Sequence, residues 1–322
     1  MRVLVTGATG FLGGHLVRRL HADGHSVLAL GRDPERLAGL RAHADQIIQH
    51  DLTGPDLPRD IEADAVVHAA ALSSPWGRRT DFERANVHGT HRVIGLARAS
   101  GARRLVLVSS PSVYFRFADQ ESLREDSPLP KPVNAYAATK RQAERLVEEA
   151  TDLDPIILRP RGLYGRGDTA LLPRLLQAAA KGPLPLMRDG AAATDLTHVD
   201  DVASAILAAL QAPADLPQRI FNISGGVALP VRDVAEAAAS RCGITPRWRR
   251  LPVGPVLAAA RLAETACSLL PGRPEPRVTA YGVGLFAYRQ TLDLSAARQW
   301  LDWAPQIDFL TGLDLTFTAG TA

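Results

Sequence analysis

Cysteine, methionine, lysine and aromatic residues are all scarce in this sequence. The two cysteines, Cys242 and Cys267, form no CxxC pair. That excludes a disulfide framework and a cysteine zinc site, and fits a reducing, cytoplasmic compartment. The nine histidines show no metal-ligand spacing, so no metal is expected. Lysine occurs only as Lys131, Lys140 and Lys181, leaving arginine as the main basic residue. The net charge of +3 is too small to point to nucleic acid. No run of about 18 uncharged apolar residues is present, so no transmembrane segment is expected. Met1-Arg2 leads directly into Val3-Leu4-Val5 with no signal-peptide pattern. With 46% hydrophobic and 22% charged residues, the 322-residue chain has the composition of a folded globular protein.

The first 160 residues alternate short apolar runs with helical patterns. Strands are expected at Val3–Thr6, Ser26–Leu30, Gln46–Gln49, Ala65–His68, Arg104–Val108 and Ile156–Leu158. Helices are expected at 13–23, 34–42, 81–99 and 135–150, the second capped by Asp33. Strands this short and apolar, separated by helices, predict an α/β doubly wound parallel sheet of Rossmann type. After Pro160 the pattern loosens around proline and glycine, with helices expected at 171–181 and 201–212. A dinucleotide-binding domain is therefore expected over 1–160, with a return segment near 195–222. Segments 161–194 and 223–322 would form a smaller, discontinuous substrate domain. The apolar stretch 253–270, interrupted by Arg261 and Glu264, is read as packed core or a pocket lid rather than a membrane-surface element.

Between the first strand and first helix lies Thr6-Gly7-Ala8-Thr9-Gly10-Phe11-Leu12-Gly13. Gly7 permits a tight turn, Gly10 lets backbone approach a pyrophosphate, and Gly13 lets the helix pack closely on the sheet. The helix N-terminus then offers free N–H groups to phosphates. The second strand ends Leu30-Gly31-Arg32, where an acid would bind a ribose 2′-hydroxyl. Arginine there would pair with a 2′-phosphate, which favours NADP over NAD. Farther on, Tyr136-Ala137-Ala138-Thr139-Lys140 puts a tyrosine and a lysine on one helix face. A nearby ammonium lowers a phenol pKa and suits the pair to proton transfer.

The spacing Gly-x-x-Gly-x-x-Gly with Tyr-x-x-x-Lys resembles the extended short-chain dehydrogenase/reductase superfamily. The resemblance makes Ser110, Tyr136 and Lys140 the catalytic residues. It assigns cofactor contacts to Gly7, Thr9, Gly10, Phe11, Leu12, Gly13 and Arg32. It adds Asp51 and Leu52 at the adenine, and Ala69, Ala70 and Ala71 along the cofactor. Asn86, in Asn86-Val87-His88-Gly89-Thr90, would brace the nicotinamide side or simply bond to backbone. Val108, Pro160 and Arg161 complete the cofactor set. In Ser109-Ser110-Pro111-Ser112-Val113-Tyr114, the neighbouring Ser109 and Ser112 are near enough to be confused with Ser110.

The substrate side resembles the 3β-hydroxysteroid-dehydrogenase-like group, and within it bacterial 2-alkyl-3-oxoalkanoate reductases. The matching segments are Ser74-Pro75-Trp76-Gly77, Ser109–Tyr114, Arg273-Pro274-Glu275-Pro276 and Trp303-x-Pro305. Ser73, Trp76, Ser112, Arg161 and Tyr164 are the expected substrate contacts. The implied activity is NAD(P)-dependent reduction of a carbonyl, or oxidation of the alcohol, on a hydrophobic substrate such as a 3-oxoacyl or sterol-like compound. The alternative is a nucleotide-sugar epimerase or dehydratase that keeps its NAD(P) bound. Against it, Thr194 stands where such enzymes carry an arginine, although Arg161 could compensate. A non-catalytic dinucleotide sensor is disfavoured because both Tyr136 and Lys140 are present. A homodimer through the 81–99 and 135–150 helices is possible within the superfamily.

Overall fold

In the first strand, Val3 and Val5 face one way and Leu4 the other, and all three are fully buried. A strand apolar on both faces belongs inside a sheet covered on both sides. The computed structural model, which describes residues 1–54 and 56–318, shows such a sheet. Its strands include β1 (Arg2–Thr6), β2 (Ser26–Gly31), β3 (Gln46–Gln49), β4 (Ala65–His68) and β5 (Arg104–Val108). Ile156–Pro160 and Ile220–Ile223 extend it beyond β5. The spatial order is Ile220–Ile223, Ile156–Pro160, β5, β4, β1, β2, β3, and every pairing is parallel.

On one face, Val3, Val5, Val27 and Val106 meet Leu16, Val17 and Leu20 of the Phe11–Ala22 helix and Val202 and Ile206 of the Val199–Gln211 helix. On the other, Leu4, Leu28, Val66 and Leu105 meet Val93 and Leu96 of Gly89–Ala99 and Ala143 and Val147 of Ala135–Glu149. Strand order reverses between β1 and β4, and the crevice at such a reversal is where nucleotides bind in open α/β sheets.

Several boundaries differ from the sequence expectation. The first helix begins at Phe11 rather than 13, because Gly10 already adopts the extended conformation of a cap. The 34–42 helix stops at Ala38 and restarts as a short 3-10 turn at Arg41–His43. The 81–99 helix begins at Arg79 and widens into a π-helical turn over Glu83–His88. Gln120–Leu123 leaves the main sheet for a four-stranded sheet with Gln290–Leu292, Ala193–Thr194 and Leu229–Pro230. The Val253–Leu269 helix is not packed core, since Ala260 is its one buried residue.

Candidate active site

At the end of β1 the backbone of Gly7 turns with φ +72°, a region L side chains avoid. A Cβ there would come within 2.7 Å of the Ala70 backbone, so Gly7 lets the loop lie against the Ala69-Ala70 segment after β4. A Cβ on Gly13 would fall 2.1 Å from the Gly7 carbonyl oxygen, so only glycine lets the helix start this close to its own turn. Gly10 caps that helix with no side-chain hydrogen bond, and its first turn holds no acid. The leading amides are thus left for an external acceptor, and the helix dipole favours an anion. These features fit the diphosphate of a dinucleotide. Ala71 and Ser73 are exposed beside this loop, and Leu12 packs half-buried on the core.

Beyond β2, the Asp33 carboxylate caps the Pro34–Ala38 helix, accepting from Glu35 N at 3.0 Å and Arg36 N at 3.1 Å. It is therefore engaged by its own backbone, while Arg32 beside it is exposed. A second guanidinium, not anticipated from sequence, stands with it: Arg36 donates to the Thr9 carbonyl at 3.3 Å and lies 3.4 Å from Asp33. The i+3 spacing from the cap was the available signal. Asp51 is also bound locally, accepting from Thr53 N at 2.8 Å and Thr53 Oγ1 at 2.9 Å, and Leu52 is buried.

The Ala135–Glu149 helix is capped by Asn134, whose Oδ1 accepts from Ala137 N at 2.9 Å. The fixed start aims Tyr136 and Lys140 at the ends of β4 and β5. Lys140 is 2% exposed and its Nζ donates to the Val108 carbonyl at 2.7 Å. Burial pushes its ammonium down to about 8, opposed by the charge of Glu144. Burial raises the Tyr136 phenol above its ordinary value, opposed by hydrogen bonds with Ser73 and Ser110. Tyr136 therefore stays protonated at neutral pH.

The structure separates the three neighbouring serines. Ser110 reaches Tyr136, and its Oγ also accepts from Ser112 N at 3.2 Å. Ser109 turns inward and donates to Glu144 Oε1 at 2.5 Å. Ser112, expected to meet substrate, is buried, and its hydroxyl has no partner among the described residues.

Beneath the Ala135–Glu149 helix lies a polar network that the sequence did not predict. Glu144, one turn beyond Lys140, is held bidentately by Arg159, with Nε–Oε1 at 2.8 Å and an Nη2–Oε2 contact of 2.7 Å. Both side chains are 2% exposed. Arg159 also stacks over the Tyr114 ring at 4.7 Å and donates to its hydroxyl. The continued i+4 spacing from Tyr136 through Lys140 to Glu144 was the signal. Asn86 bonds to Leu72 N at 2.7 Å, to Leu72 O at 3.2 Å and to Thr139 Oγ1 at 3.0 Å. It thereby ties the loop after β4 to the Ala135–Glu149 helix. His68 sits between Thr6 Oγ1 at 2.8 Å and Thr90 Oγ1 at 3.0 Å, and burial drives its pKa to about 3, so it is a neutral structural bridge.

On the substrate side, Arg161 follows buried Pro160. Arg161 donates to Thr194 Oγ1 at 2.9 Å and Gln290 Oε1 at 2.8 Å, and pairs with Asp195 at 3.2 Å. Thr194, at the position of the absent arginine, thus accepts from the arginine that could have replaced it. Tyr164 is not placed to meet substrate. It is 1% exposed, edge-on to Phe309 and His198, and its hydroxyl donates to the Phe309 carbonyl at 3.4 Å. Tyr281 takes a place the sequence did not predict. Its ring lies 4.7 Å from Phe115, and its phenol is raised by burial, opposed by the charge of Arg161. Trp76 donates its indole N–H to the Arg273 carbonyl at 3.0 Å, joining two segments more than half the chain apart.

The model of the NAD dependent epimerase/dehydratase family matches residues 3–224. This chain belongs to that family. It is 34% identical to the 2-alkyl-3-oxoalkanoate reductase of Stenotrophomonas maltophilia, over 97% of each chain. It is 32% identical to the 4-hydroxy-2-methyl-3-oxo-4-farnesyl-3,4-dihydroquinoline-1-oxide ketoreductase of Stigmatella aurantiaca, over all of this chain and 97% of that one. Among solved structures, UDP-glucuronic acid 4-epimerase from Bacillus cereus in complex with NAD superposes with a TM-score of 0.75 at 22% identity, covering 98% of this chain and 97% of that one. That likeness establishes the shared fold. The chain is accordingly an NAD(P)-dependent enzyme of the extended short-chain dehydrogenase/reductase type.

Proposed function

We propose that this enzyme is an NADP-preferring reductase of a carbonyl on a hydrophobic substrate, with Ser110, Tyr136 and Lys140 as its catalytic residues. The observation carrying the reading is the state of Arg161. Its charge is neutralised by the buried Asp195, so the cation a sugar diphosphate would need is already paired. The rest of that wall is apolar or aromatic, built from Phe115, Phe117 and Tyr281. The two relatives support the same direction, one named for a 3-oxoalkanoate and the other a ketoreductase of a farnesyl compound.

The residues divide the work as follows. Gly7–Gly13 and the exposed Arg32 and Arg36 would hold the dinucleotide, which supplies a hydride for the carbonyl carbon. Tyr136 donates its proton to the carbonyl oxygen, giving the alcohol. Ser110, in contact with Tyr136, orients that oxygen. Lys140, one helical turn on from Tyr136, keeps two donors beyond the Val108 bond for a ribose. The engaged state of Asp33 supports the NADP preference, since a carboxylate committed to its helix cap and paired with Arg36 is not free to accept from a ribose 2′-hydroxyl.

The test is consumption of NADPH and NADH by purified protein against a 2-alkyl-3-oxoacid, 3-oxoacyl thioesters and a 3-ketosteroid. Turnover is expected with NADPH, and Arg32→Ala should lower the NADPH-over-NADH preference by about tenfold. Equal use of both cofactors by the parent and by Arg32→Ala would remove the NADP assignment. No turnover, with nicotinamide released only on denaturation and stabilisation by UDP, would overturn the reductase reading in favour of the epimerase.

A further inference from the structure

The Val253–Leu269 helix carries its polarity inside out. Val253, Val256, Leu257 and Ala260 pack inward against Met187, Phe117 and the Ala280–Ala287 helix. Of its two charged residues, Glu264 turns toward the protein, while Arg261 is exposed at the edge of this face with its guanidinium laid back over an aromatic ring. The Arg261 guanidinium lies over the Phe117 ring at 5.2 Å, and Glu264 Oε1 accepts from Ala280 N at 2.8 Å. At 3.6 residues per turn, the outward arc is then Pro255, Ala258, Leu262, Thr265, Ala266 and Leu269, with no charge among them. Leu262 is 72% exposed and Leu269 81%, with Leu270 at 52% extending the patch. A helix facing water ordinarily puts its charges on this side.

The two ends of the helix are cationic. Arg247, Arg249 and Arg250 precede it, Arg273 and Arg277 follow it, and all are exposed. Among the described residues, no carboxylate pairs with Arg247, Arg249, Arg273 or Arg277, and Arg250 is only 3.9 Å from an equally exposed Asp189. Of the acids near these ends, Glu275 is taken by Arg174 at 3.3 Å and Glu236 by Arg232 at 2.8 Å. A second copy of the chain is a poor cover for this face. With arginines at both ends, packing two such helices in either direction sets like charges against each other. An anionic lipid surface satisfies the apolar centre and both cationic ends at once. No helix among the described residues is long and apolar enough to cross a membrane, so this one would lie in the plane of the interface.

We propose that the outer face of the Val253–Leu269 helix docks the protein on a bilayer bearing anionic headgroups. Docking does not depend on the reductase reading. If that reading holds, the inner face of the same helix roofs the Phe117 and Tyr281 wall, and a lipid-dissolved substrate would reach the site without crossing water.

The test is flotation of the full chain with phosphatidylcholine vesicles, with or without about one third phosphatidylglycerol. Binding to the anionic vesicles should exceed binding to phosphatidylcholine alone by about tenfold or more and weaken in high salt. The double variant Leu262→Glu/Leu269→Glu should lose about tenfold or more in binding to the anionic vesicles, with the unfolding temperature unchanged. The double variant Arg249→Glu/Arg277→Glu should lose binding to anionic vesicles as well. Absence of binding by the parent chain overturns the proposal. So does binding that survives the leucine changes, which would mark general attraction to a basic surface. A dimer in sedimentation velocity that the leucine changes dissociate overturns it too, assigning the face to a second copy.

Discussion

The floor and the roof of the candidate site are built on opposite terms. The floor, formed by the ends of β1, β4 and β5 with the Ala135–Glu149 helix, is held by buried hydrogen bonds and ion pairs: Lys140 to Val108, Glu144 to Arg159 and Ser109, Asn86 to Leu72 and Thr139, His68 to Thr6 and Thr90. The roof, formed by Phe115, Phe117, Tyr281 and the Val253–Leu269 helix, is held mainly by apolar and aromatic packing. Directional bonds fix atoms to within fractions of an ångström, which proton transfer requires. Nondirectional packing tolerates changes of shape, which suits recognition of an apolar body. On the proposed function, the floor serves the proton transfer and the roof receives the apolar body of the substrate.

The sharpest way to break this division is at the phenol. Tyr136→Phe removes the proton donor and leaves the ring and the glycine loop in place. Reductive turnover should fall about a thousandfold while dinucleotide affinity, measured by fluorescence titration, stays within about twofold. Most of the activity surviving would remove Tyr136 from the mechanism.

Next in size is the ion pair under the helix. Glu144→Gln leaves Arg159 charged and buried without its counter-ion, which should cost about 3 kcal/mol in urea unfolding. Leu262→Glu on the roof should move the same measurement by less than about 0.5 kcal/mol, since its side chain is already in water. Equal losses at both positions would erase the contrast between floor and roof.

These two changes also show what the sequence discloses. Six of the seven strands of the parallel sheet were legible as short, mostly apolar runs, with Ile220–Ile223 falling at the end of the expected return segment, and the glycine loop was legible because its spacing sits between a strand and a helix. Tyr136 and Lys140 were legible through a fixed i+4 spacing. Glu144 and Arg159 were not, because a charged pair in sequence looks the same whether solvated or buried. Only the packing of β5 and Ile156–Pro160 beneath the helix decides that it is buried. Tyr164, expected at the substrate from the resemblance alone, has its ring in the core, where Gly312 leaves room for it: a Cβ there would lie 2.2 Å from the Tyr164 hydroxyl. The Val253–Leu269 helix was expected as packed core or a pocket lid, and only the packed-core reading fails, because composition counts apolar residues without saying which face they occupy.

A pH profile sharpens the floor further. Lys140 is charged below about 8 and neutral above it, because burial disfavours the ammonium. Reductive kcat/KM, which reports the free enzyme, should therefore hold below that value and decline up to about tenfold per unit above it. Tyr136, raised by burial, stays protonated through the same range and contributes no limb there. A profile flat through pH 8 would mean that the Lys140 charge does not matter to the reaction.

The smallest effect is expected where floor and roof are stitched together. Trp76 rises from the loop after β4, and its indole N–H meets the Arg273 carbonyl at 3.0 Å, beyond the end of the roof helix. Trp76→Phe keeps an aromatic ring but deletes that bond, a loss of about 1 kcal/mol at most for a half-exposed contact. Substrate binding should absorb it: KM rises a few-fold, by about fivefold at most, and kcat is unchanged. If kcat falls instead and KM is untouched, Trp76 acts on the reacting groups, and the loop it stands on belongs with the floor.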